Sequence, residues 1–139
     1  MILINDKDWI SQWVMARTGD DFPMGCQAAL GAVDENDSIV AGVIYDHYTG
    51  PCVTATIAVE HKHLPRQLIR AMFAYPFIQM MVEKVIVYIN SANEASFNLA
   101  QRLGFVTEAT VKNVYEDGDM LVLSLYKRDC IWLKELHHG

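Results

Sequence analysis

Residues 93–105 read N-E-A-S-F-N-L-A-Q-R-L-G-F, and this stretch decides the fold because it describes one complete helix joined to a strand. Asn93 is of a residue type preferred at helix N-caps. Gly104 is typical of the position just past a helix, and Phe105 begins a segment rich in strand formers. Between these ends, apolar side chains recur at helical spacing, at Phe97, Leu99, Ala100 and Leu103. The stretch predicts a capped helix that leads directly into a strand.

A strand, a helix and a second strand are predicted upstream of this stretch. Residues 52–59 are rich in strand formers, and residues 64–81 have apolar side chains at helical spacing. Pro65 lies early, where proline is tolerated, whereas Pro76 should kink or end the regular helix. Residues 84–89, KVIVYI, form a nearly continuous apolar run, which is typical of a strand buried on both faces. Because a helix separates the two strands, they are expected to pair in parallel through a crossover.

An N-terminal helix and a three-stranded meander are predicted before residue 60. Asn5 or Asp6 can cap the helix, and Gly19 should end it. The strand-like segments 26–33 and 38–45 precede residues 52–59, with turn-rich residues between them. The apolar stripe of the helix consists of Trp9, Ile10, Trp13 and Val14.

The C-terminal part is expected to form a hairpin. Asp117 and Gly118 lie between the strand-like segments 105–115 and 120–126, and Asp-Gly in that position is a strong hairpin signal. The element order α, βββ, α, β, α, ββ predicts an α/β (α+β) fold around a central mixed, twisted sheet of about six strands. A βαβ crossover and flanking helices complete it, and residues 1–139 are expected to form one domain.

Composition and charge exclude several classes of protein. With 52% hydrophobic and 20% charged residues, the chain is too apolar for disorder and too evenly charged for a membrane span. Its net charge of −6 argues against a surface that binds DNA or RNA. The N-terminal residues MILINDKDW lack the pattern of a secretory signal, which favours the cytoplasm. The three cysteines form no C-x-x-C pair, so they are expected to be reduced thiols.

The element order and residues 93–105 together resemble the GNAT superfamily of N-acetyltransferases. The stretch matches the superfamily's N-x-x-[AS]-x-x-L-x-x-[KR]-L-G-F segment, and residues 118–132 are similar to the ending of its ribosomal-protein alanine acetyltransferase (RimJ/RimL-like) branch. The resemblance covers about residues 24–132. It implies an enzyme that moves an acetyl group from acetyl-CoA to a primary amine, such as a protein N-terminus, a lysine or a small amine, and it allows a homodimer.

The resemblance also implies where acetyl-CoA binds. In the superfamily, a gap between two parallel central strands admits the pantetheine arm, and the pyrophosphate rests on amides at the start of the next helix. The superfamily's usual loop, [QR]-x-x-G-x-[GA], is missing here, because residues 51–70 contain no glycine and Pro65 lacks an N–H. The implied cofactor-binding positions before the helix of residues 93–103 are Ile57, Ala58, Val59, Lys62, Arg66, Gln67 and Leu68.

A cluster of basic residues lies at the same place, at His61, Lys62, His63, Arg66 and Arg70. These side chains suit phosphate groups, although such a run is also typical of a solvated helix start. His61 and His63 alone supply too few ligands for a metal ion, so no metal is expected.

Acetyl transfer needs an acid that protonates the leaving thiolate. The superfamily often places a tyrosine where this chain has Ala100. Ser96, one turn earlier, could contact the thiol directly or through water, or it could merely cap or pack. Asn93 is expected to cap its helix and, by the resemblance, to hold a water molecule or the pantetheine near the sulfur. Ser96 and Asn93 are therefore both catalytic and cofactor-binding candidates.

A base that deprotonates the amine is the second requirement. Glu60, at the end of the strand of residues 52–59, is either this general base or an exposed strand-end acid. Tyr45 and Tyr115 lie near strand ends, where they could line the acceptor groove, serve as alternative acids or only pack.

Two functions remain open from the sequence. An acidic chain favours a positively charged acceptor if the protein is an enzyme. Alternatively, the altered phosphate loop indicates a catalytically weak GNAT-fold module that binds or regulates. The compact chain also resembles small phage-encoded members of the superfamily, which would fit action on a host protein.

Overall fold

The computed structural model describes residues 1–19, 26–60 and 64–133. In these residues the strands form one seven-stranded mixed sheet in the order β1-β2-β3-β4-β5-β7-β6. A π-helical turn, Tyr75–Gln79, continues α2, and a 3-10 turn, Lys127–Asp129, follows β7. The elements in chain order are β1 (Ile2–Ile4), α1 (Lys7–Thr18), β2 (Ala28–Val33), β3 (Ile39–Asp46), β4 (Cys52–Val59), α2 (Arg66–Ala74), β5 (Lys84–Asn90), α3 (Glu94–Leu103), β6 (Val106–Tyr115) and β7 (Gly118–Tyr126).

The mixed sheet and its βαβ crossover are confirmed, and the sheet has one strand more than expected. β4 and β5 pair in parallel through residues 52–54 and 84–86. The additional strand is β1, which pairs antiparallel with β2. Three residues are too few to show the alternation by which a strand is recognised in a sequence. β1 is therefore defined by its partner rather than by its own pattern.

Helices cover the two faces of the sheet over different strands. α1 lies on one face, over β2, β3 and β4, and the core between α2, α3 and the sheet is on the other. Val85, Val87 and Ile89 face that core and are at most 7% exposed, as predicted for one packed side of β5. The prediction that β5 is buried on both faces is wrong, because α1 lies elsewhere and Tyr88 on the open face is 47% exposed.

α1 begins and ends where the sequence indicates. Asp6 caps it by accepting a hydrogen bond from the amide of Trp9 at 3.1 Å, and Gly19 ends it in the left-handed conformation. Ile10 and Val14 are fully buried against the sheet. A Cβ at Gly42 of β3 would lie 3.0 Å from Val14 Cγ2, so glycine at this position allows the helix to lie close to the strand.

Pro76 ends the regular part of α2, as predicted, and Tyr45 compensates for its effect on the backbone. Proline has no N–H to donate to the carbonyl of Met72 four residues earlier. The hydroxyl of Tyr45 donates to that carbonyl instead. Tyr45 is fully buried, and burial, together with the neighbouring Tyr75, raises its pKa well above the usual range. The phenol is thus a neutral donor inside the core.

Replacing Tyr45 with phenylalanine should destabilise the protein by about 1–3 kcal/mol, because the buried Met72 carbonyl would lose its partner. Urea unfolding at neutral pH measures this change. Tyr48→Phe is the matched control, since the Tyr48 hydroxyl also reaches a carbonyl but its side chain is exposed to water. Equal stability of the two variants would contradict the role given to Tyr45.

Glu108 joins three strands on the open face of the sheet. Its carboxylate accepts hydrogen bonds from Ser124 Oγ at 2.7 Å, from Lys84 Nζ at 3.0 Å and from Tyr126 OH at 3.3 Å. The Ser124 hydrogen bond is the largest cause that lowers the pKa of Glu108, followed by that of Lys84. The hydrogen bond with Glu108 in turn raises the pKa of Lys84.

Stability at acid pH should depend on Glu108. A carboxyl group whose pKa is lowered by folding stabilises the folded state above its unfolded pKa of about 4.3, and this contribution is lost as the pH falls through the lowered folded value. We expect the urea midpoint of Glu108→Gln to fall less than that of the parent between about pH 5 and pH 3. Glu116→Gln, in the exposed β6–β7 turn, is the control. An identical acid dependence in all three proteins would contradict this role.

Candidate active site

β4 and β5 separate after their first residues and leave a gap between them. Their parallel ladder covers only residues 52–54 and 84–86. Beyond it, β4 continues to Val59 in the ladder with β3, and β5 continues to Asn90 in the ladder with β7. The gap therefore opens toward the C-terminal ends of both strands.

Backbone groups of β4 face this gap. The amide of Glu60 donates to the carbonyl of Val40 at 2.8 Å, on the side of β3. Successive residues of a strand direct their backbone groups to opposite sides. The N–H and C=O groups of Ile57 and Val59 therefore point away from β3 and into the gap.

β5 contributes backbone groups from the opposite side. The amide of Ser91 donates to the carbonyl of Asp119 at 2.8 Å, so the odd-numbered residues of β5 direct their backbone N–H and C=O groups toward β7. By the same alternation, the backbone of Tyr88 is directed toward β4 and the gap. An extended ligand with amide groups can therefore hydrogen-bond between the strands in the way that a further strand would.

α2 begins a short distance along the chain after the gap. Pro65 is its N-cap residue, and the first helical hydrogen bond runs from the amide of Ile69 to the carbonyl of Pro65 at 3.0 Å. The amides of Arg66, Gln67 and Leu68 lie in the first turn, at the positive end of the helix dipole. Leu68 is 1% exposed as a whole residue, and its side chain packs in the core.

Part of the predicted basic cluster cannot be placed. Lys62, a cofactor-binding candidate, and its neighbours His61 and His63 lie outside the described residues. Among residues 1–19, 26–60 and 64–133, no group of three or more His, Cys, Asp and Glu side chains is arranged to hold a metal ion. In the same residues, no helix is long and apolar enough to span a membrane.

Asn93 caps α3 beside the C-terminal end of β5. Its Oδ1 accepts a hydrogen bond from the amide of Ser96 at 3.1 Å, so the predicted cap is confirmed. The Nδ2 group is not used by the cap and remains a donor for a ligand. Ser96 is half-buried on the first turn, whereas Ala100, one turn further, is 6% exposed and packs in the core.

Glu60 at the end of β4 has a partner that the sequence does not indicate. Its Oε2 lies 2.9 Å from Arg17 Nε on α1, and the guanidinium of Arg17 stacks 3.7 Å from the ring centroid of Trp13. Both side chains of the ion pair are about two-fifths exposed, at 39% and 40%. Glu60 therefore joins the end of β4 to α1 and is also accessible to a ligand.

The strand directions bring three candidates to the same edge of the sheet, by which we mean the side at which β4, β5 and β6 end. Glu60 follows β4 and Asn93 follows β5, and these two strands run parallel. β6 runs in the same direction as β5, because both pair antiparallel with β7. Tyr115, the last residue of β6, therefore lies at this same edge. Tyr45 does not belong to the group, because β3 runs in the opposite direction and its buried hydroxyl is bonded to α2. Of the alternatives that the sequence left open for Tyr45, packing is the one observed.

Comparison with known proteins shows which fold carries this arrangement. No protein-family model matches the chain, and no curated protein is similar enough in sequence to match it. A variant of the spermidine N-acetyltransferase from Vibrio cholerae has a similar structure, with a TM-score of 0.74 and 12% identity over 98% of this chain and 99% of that chain. The ribosomal-protein-S5-alanine acetyltransferase from Vibrio fischeri has a TM-score of 0.64 and is 18% identical, over 89% of this chain and 72% of that chain. An acetyltransferase of the GNAT family from Bacillus anthracis has a TM-score of 0.60 and is 14% identical, over 72% of this chain and 66% of that chain.

The chain has the GNAT fold. Its structural neighbours are acetyltransferases of that family, which agrees with the fold expected from residues 93–105. The branch to which the sequence ending is similar, and a phage origin, stay predictions. Sequence reasoning missed Arg17, because a contact between residues 43 positions apart leaves no local pattern.

Proposed function

We propose that this protein transfers an acetyl group from acetyl-CoA to a primary amine. The observation that carries the proposal is the gap between β4 and β5, which exposes backbone groups of Ile57, Val59 and Tyr88 in a chain with the fold of acetyltransferases. The pantetheine arm of acetyl-CoA is extended and carries amide groups, so it suits such a gap. Ala58 contributes through its place in β4, with its side chain packed toward α1.

The phosphates of acetyl-CoA would lie at the start of α2. The amides of Arg66, Gln67 and Leu68 and the helix dipole favour an anion there. The side chains of Lys62 and Arg66 add positive charge, which a protein with a net charge of −6 needs in order to attract a polyphosphate. We assign no metal ion to the site.

The reaction assigns a role to each group at the open edge of the sheet. Glu60 removes a proton from the ammonium form of the acceptor, directly or through water. The amine nitrogen then attacks the thioester carbonyl carbon, the carbon–sulfur bond breaks, and the thiolate leaves. Asn93 and Ser96 hold the sulfur and its surroundings, and Tyr115 donates a proton to the thiolate. The nitrogen loses its second proton as the amide forms, and this proton restores the Tyr115 hydroxyl, directly or through water, which leaves an amide and free CoA.

The acceptor is proposed to be a positively charged primary amine. The neighbours act, by their names, on spermidine and on an alanine of a ribosomal protein. A protein N-terminus, a lysine side chain and a small polyamine all share the primary amine that the reaction requires. The acidic surface of the chain favours cations of each kind.

We also propose that the protein works in the cytoplasm and that it can form a homodimer. All three cysteines, Cys26, Cys52 and Cys130, are free thiols, which suits a reducing compartment. Burial raises the pKa of each of these thiols, so they are held in the protonated, unreactive form.

Two measurements on one preparation test the proposal. Calorimetric titration with acetyl-CoA and with CoA should show saturable binding at one site per chain. A transfer assay with spermidine, lysine and an alanine-terminated peptide should then release CoA only in the presence of an amine. Absence of binding to both acetyl-CoA and CoA would overturn the proposal.

A second function is favoured by the missing glycines in residues 51–70, by Pro65 at the start of α2 and by Ala100 at the usual tyrosine position. In this alternative, the protein is a catalytically weak binding or regulatory module that acts on another protein, such as one of a host. Tight binding of CoA without turnover of any amine or peptide would favour it.

A further inference from the structure

The β6–β7 turn, taken here as residues 116–119 and so including the first two residues of β7, touches the loop that leads into α3. Asn90 Nδ2 donates to Asp117 Oδ1 at 2.8 Å. The amide of Ser91 donates to the carbonyl of Asp119 at 2.8 Å, and the amide of Asp119 donates to Ser91 Oγ at 2.9 Å. Three hydrogen bonds thus join the turn to residues 90–91, although the two segments are about 27 positions apart.

Gly118 lies at the point of closest approach. A Cβ at this position would overlap Asn90 Oδ1, lie 2.7 Å from Ser91 Oγ and lie 3.2 Å from the amide nitrogen of Ala92. The last of these atoms is backbone and cannot move aside without displacing the loop. Any side chain at Gly118 would therefore push the loop away from the turn.

The same loop fixes the beginning of α3. Asn90 Oδ1 accepts a hydrogen bond from the amide of Ala92 at 3.0 Å, and the carbonyl of Asn90 accepts one from the amide of Asn93 at 2.8 Å. Asn93 then caps α3, because its Oδ1 accepts a hydrogen bond from the amide of Ser96 at 3.1 Å. A continuous chain of hydrogen bonds leads from Asp117 through Asn90 to the side chain of Asn93.

We propose that the β6–β7 turn positions the start of α3 for acetyl transfer, with Asp117 and Gly118 as positioning residues. The inference rests on the proposed function, because Asn93 and Ser96 are the groups placed near the thioester. The turn also follows Tyr115 directly, so it couples the strand that carries the proposed acid to the helix start that holds the sulfur. Misplacement by about 1 Å can cost about 100-fold in rate.

Gly118→Ala is expected to lower kcat by roughly 100-fold per folded molecule, while Glu116→Ala in the same turn leaves it unchanged. A second pair of variants separates positioning from loss of charge. Asp117→Ala should lower kcat, whereas Asp117→Asn should retain most of it because the amide oxygen can still accept from Asn90. Rates are measured with saturating acetyl-CoA and amine well below each melting temperature.

Each outcome decides the inference. A lower kcat in Gly118→Ala and Asp117→Ala, with rescue in Asp117→Asn, supports it. Unchanged kcat and KM together with a lower melting temperature would show a structural role only and overturn it. If Gly118→Ala does not fold, the Asp117 pair alone decides. A parent protein that neither binds acetyl-CoA nor acetylates any amine refutes the proposed function itself, whereas an active parent with unaffected variants refutes only the positioning role.

Discussion

Replacing Glu60 with glutamine should lower acetyl transfer by about 100- to 10,000-fold, the usual effect of removing a general base, and leave the affinity for acetyl-CoA unchanged. Glu60 lies just beyond β4 at the open edge of the gap, whereas the phosphates are proposed to lie further along, at the start of α2. The variant should therefore lose acetyl transfer while it keeps cofactor binding. Calorimetry and turnover on the same preparations measure both quantities.

The ion pair with Arg17 makes a matched control possible. Glutamine keeps an oxygen that can accept from Arg17 Nε, and an exposed pair contributes only about 0–1 kcal/mol to stability. Arg17→Ala removes the pair but keeps the carboxylate, so it should retain far more activity than Glu60→Gln. The activity of the parent should also fall toward acid pH, because its base is protonated there. The pH–rate profile of Glu60→Gln should lack this acid decrease. Equal turnover of parent and Glu60→Gln would leave a bound water or Tyr115 as the base.

Removing the positive charge of Lys62 and Arg66 should weaken the binding of acetyl-CoA. A hydrogen bond to a charged group contributes about 1.5–3 kcal/mol, which corresponds to about 10- to 150-fold in affinity for each contact. The loss should shrink as salt is added, because salt already screens the contact in the parent. Titration of Lys62→Ala/Arg66→Ala at low and high salt measures it.

Lys127→Ala provides the corresponding control. Lys127 carries the same charge as Lys62 and lies where β5 begins, since its amide donates to the carbonyl of Glu83. Its replacement changes the net charge without touching the proposed site. If Lys127→Ala and the double variant affect binding equally, or if neither does, the basic cluster is only a solvated surface.

The helix–strand junction at residues 93–105 could be predicted because its determinants are local. Asn93 caps Ser96 three residues later, and Gly104 adopts a φ of 109° that disfavours any residue with a side chain. Gly19 and Pro76 likewise end their regular helices where the local sequence predicts. Parallel pairing of β4 with β5 followed from the helix between them.

The remaining features depend on contacts between distant residues. β1 is a strand only because β2 accepts it, and Tyr88 is exposed only because α1 covers other strands. Tyr45 lies near a strand end like Tyr115, yet it is buried, and the carbonyl of Met72 in α2 accepts a hydrogen bond from its hydroxyl. Sequence position alone does not distinguish these cases.

For the candidate site, the places of three residues in the fold could be predicted from the sequence, whereas their roles stay predictions. Glu60, Asn93 and Tyr115 were each expected at strand or helix ends, and the strand directions bring them to one edge. The Arg17 ion pair and the contact of Gly118 with residues 90–92 could not be predicted, because they join segments that the sequence leaves independent. These long-range contacts give the site its geometry.

Residue-resolved amide hydrogen exchange, with and without acetyl-CoA, tests most directly whether the cofactor binds in the gap between β4 and β5. If acetyl-CoA binds there, exchange should slow at Ile57, Val59 and Tyr88, whose amides face the gap. Ala58 is the internal control, because its amide faces β3 and belongs to that ladder. Unchanged exchange at the three gap amides under saturating acetyl-CoA, with protection elsewhere in the chain, would contradict the account.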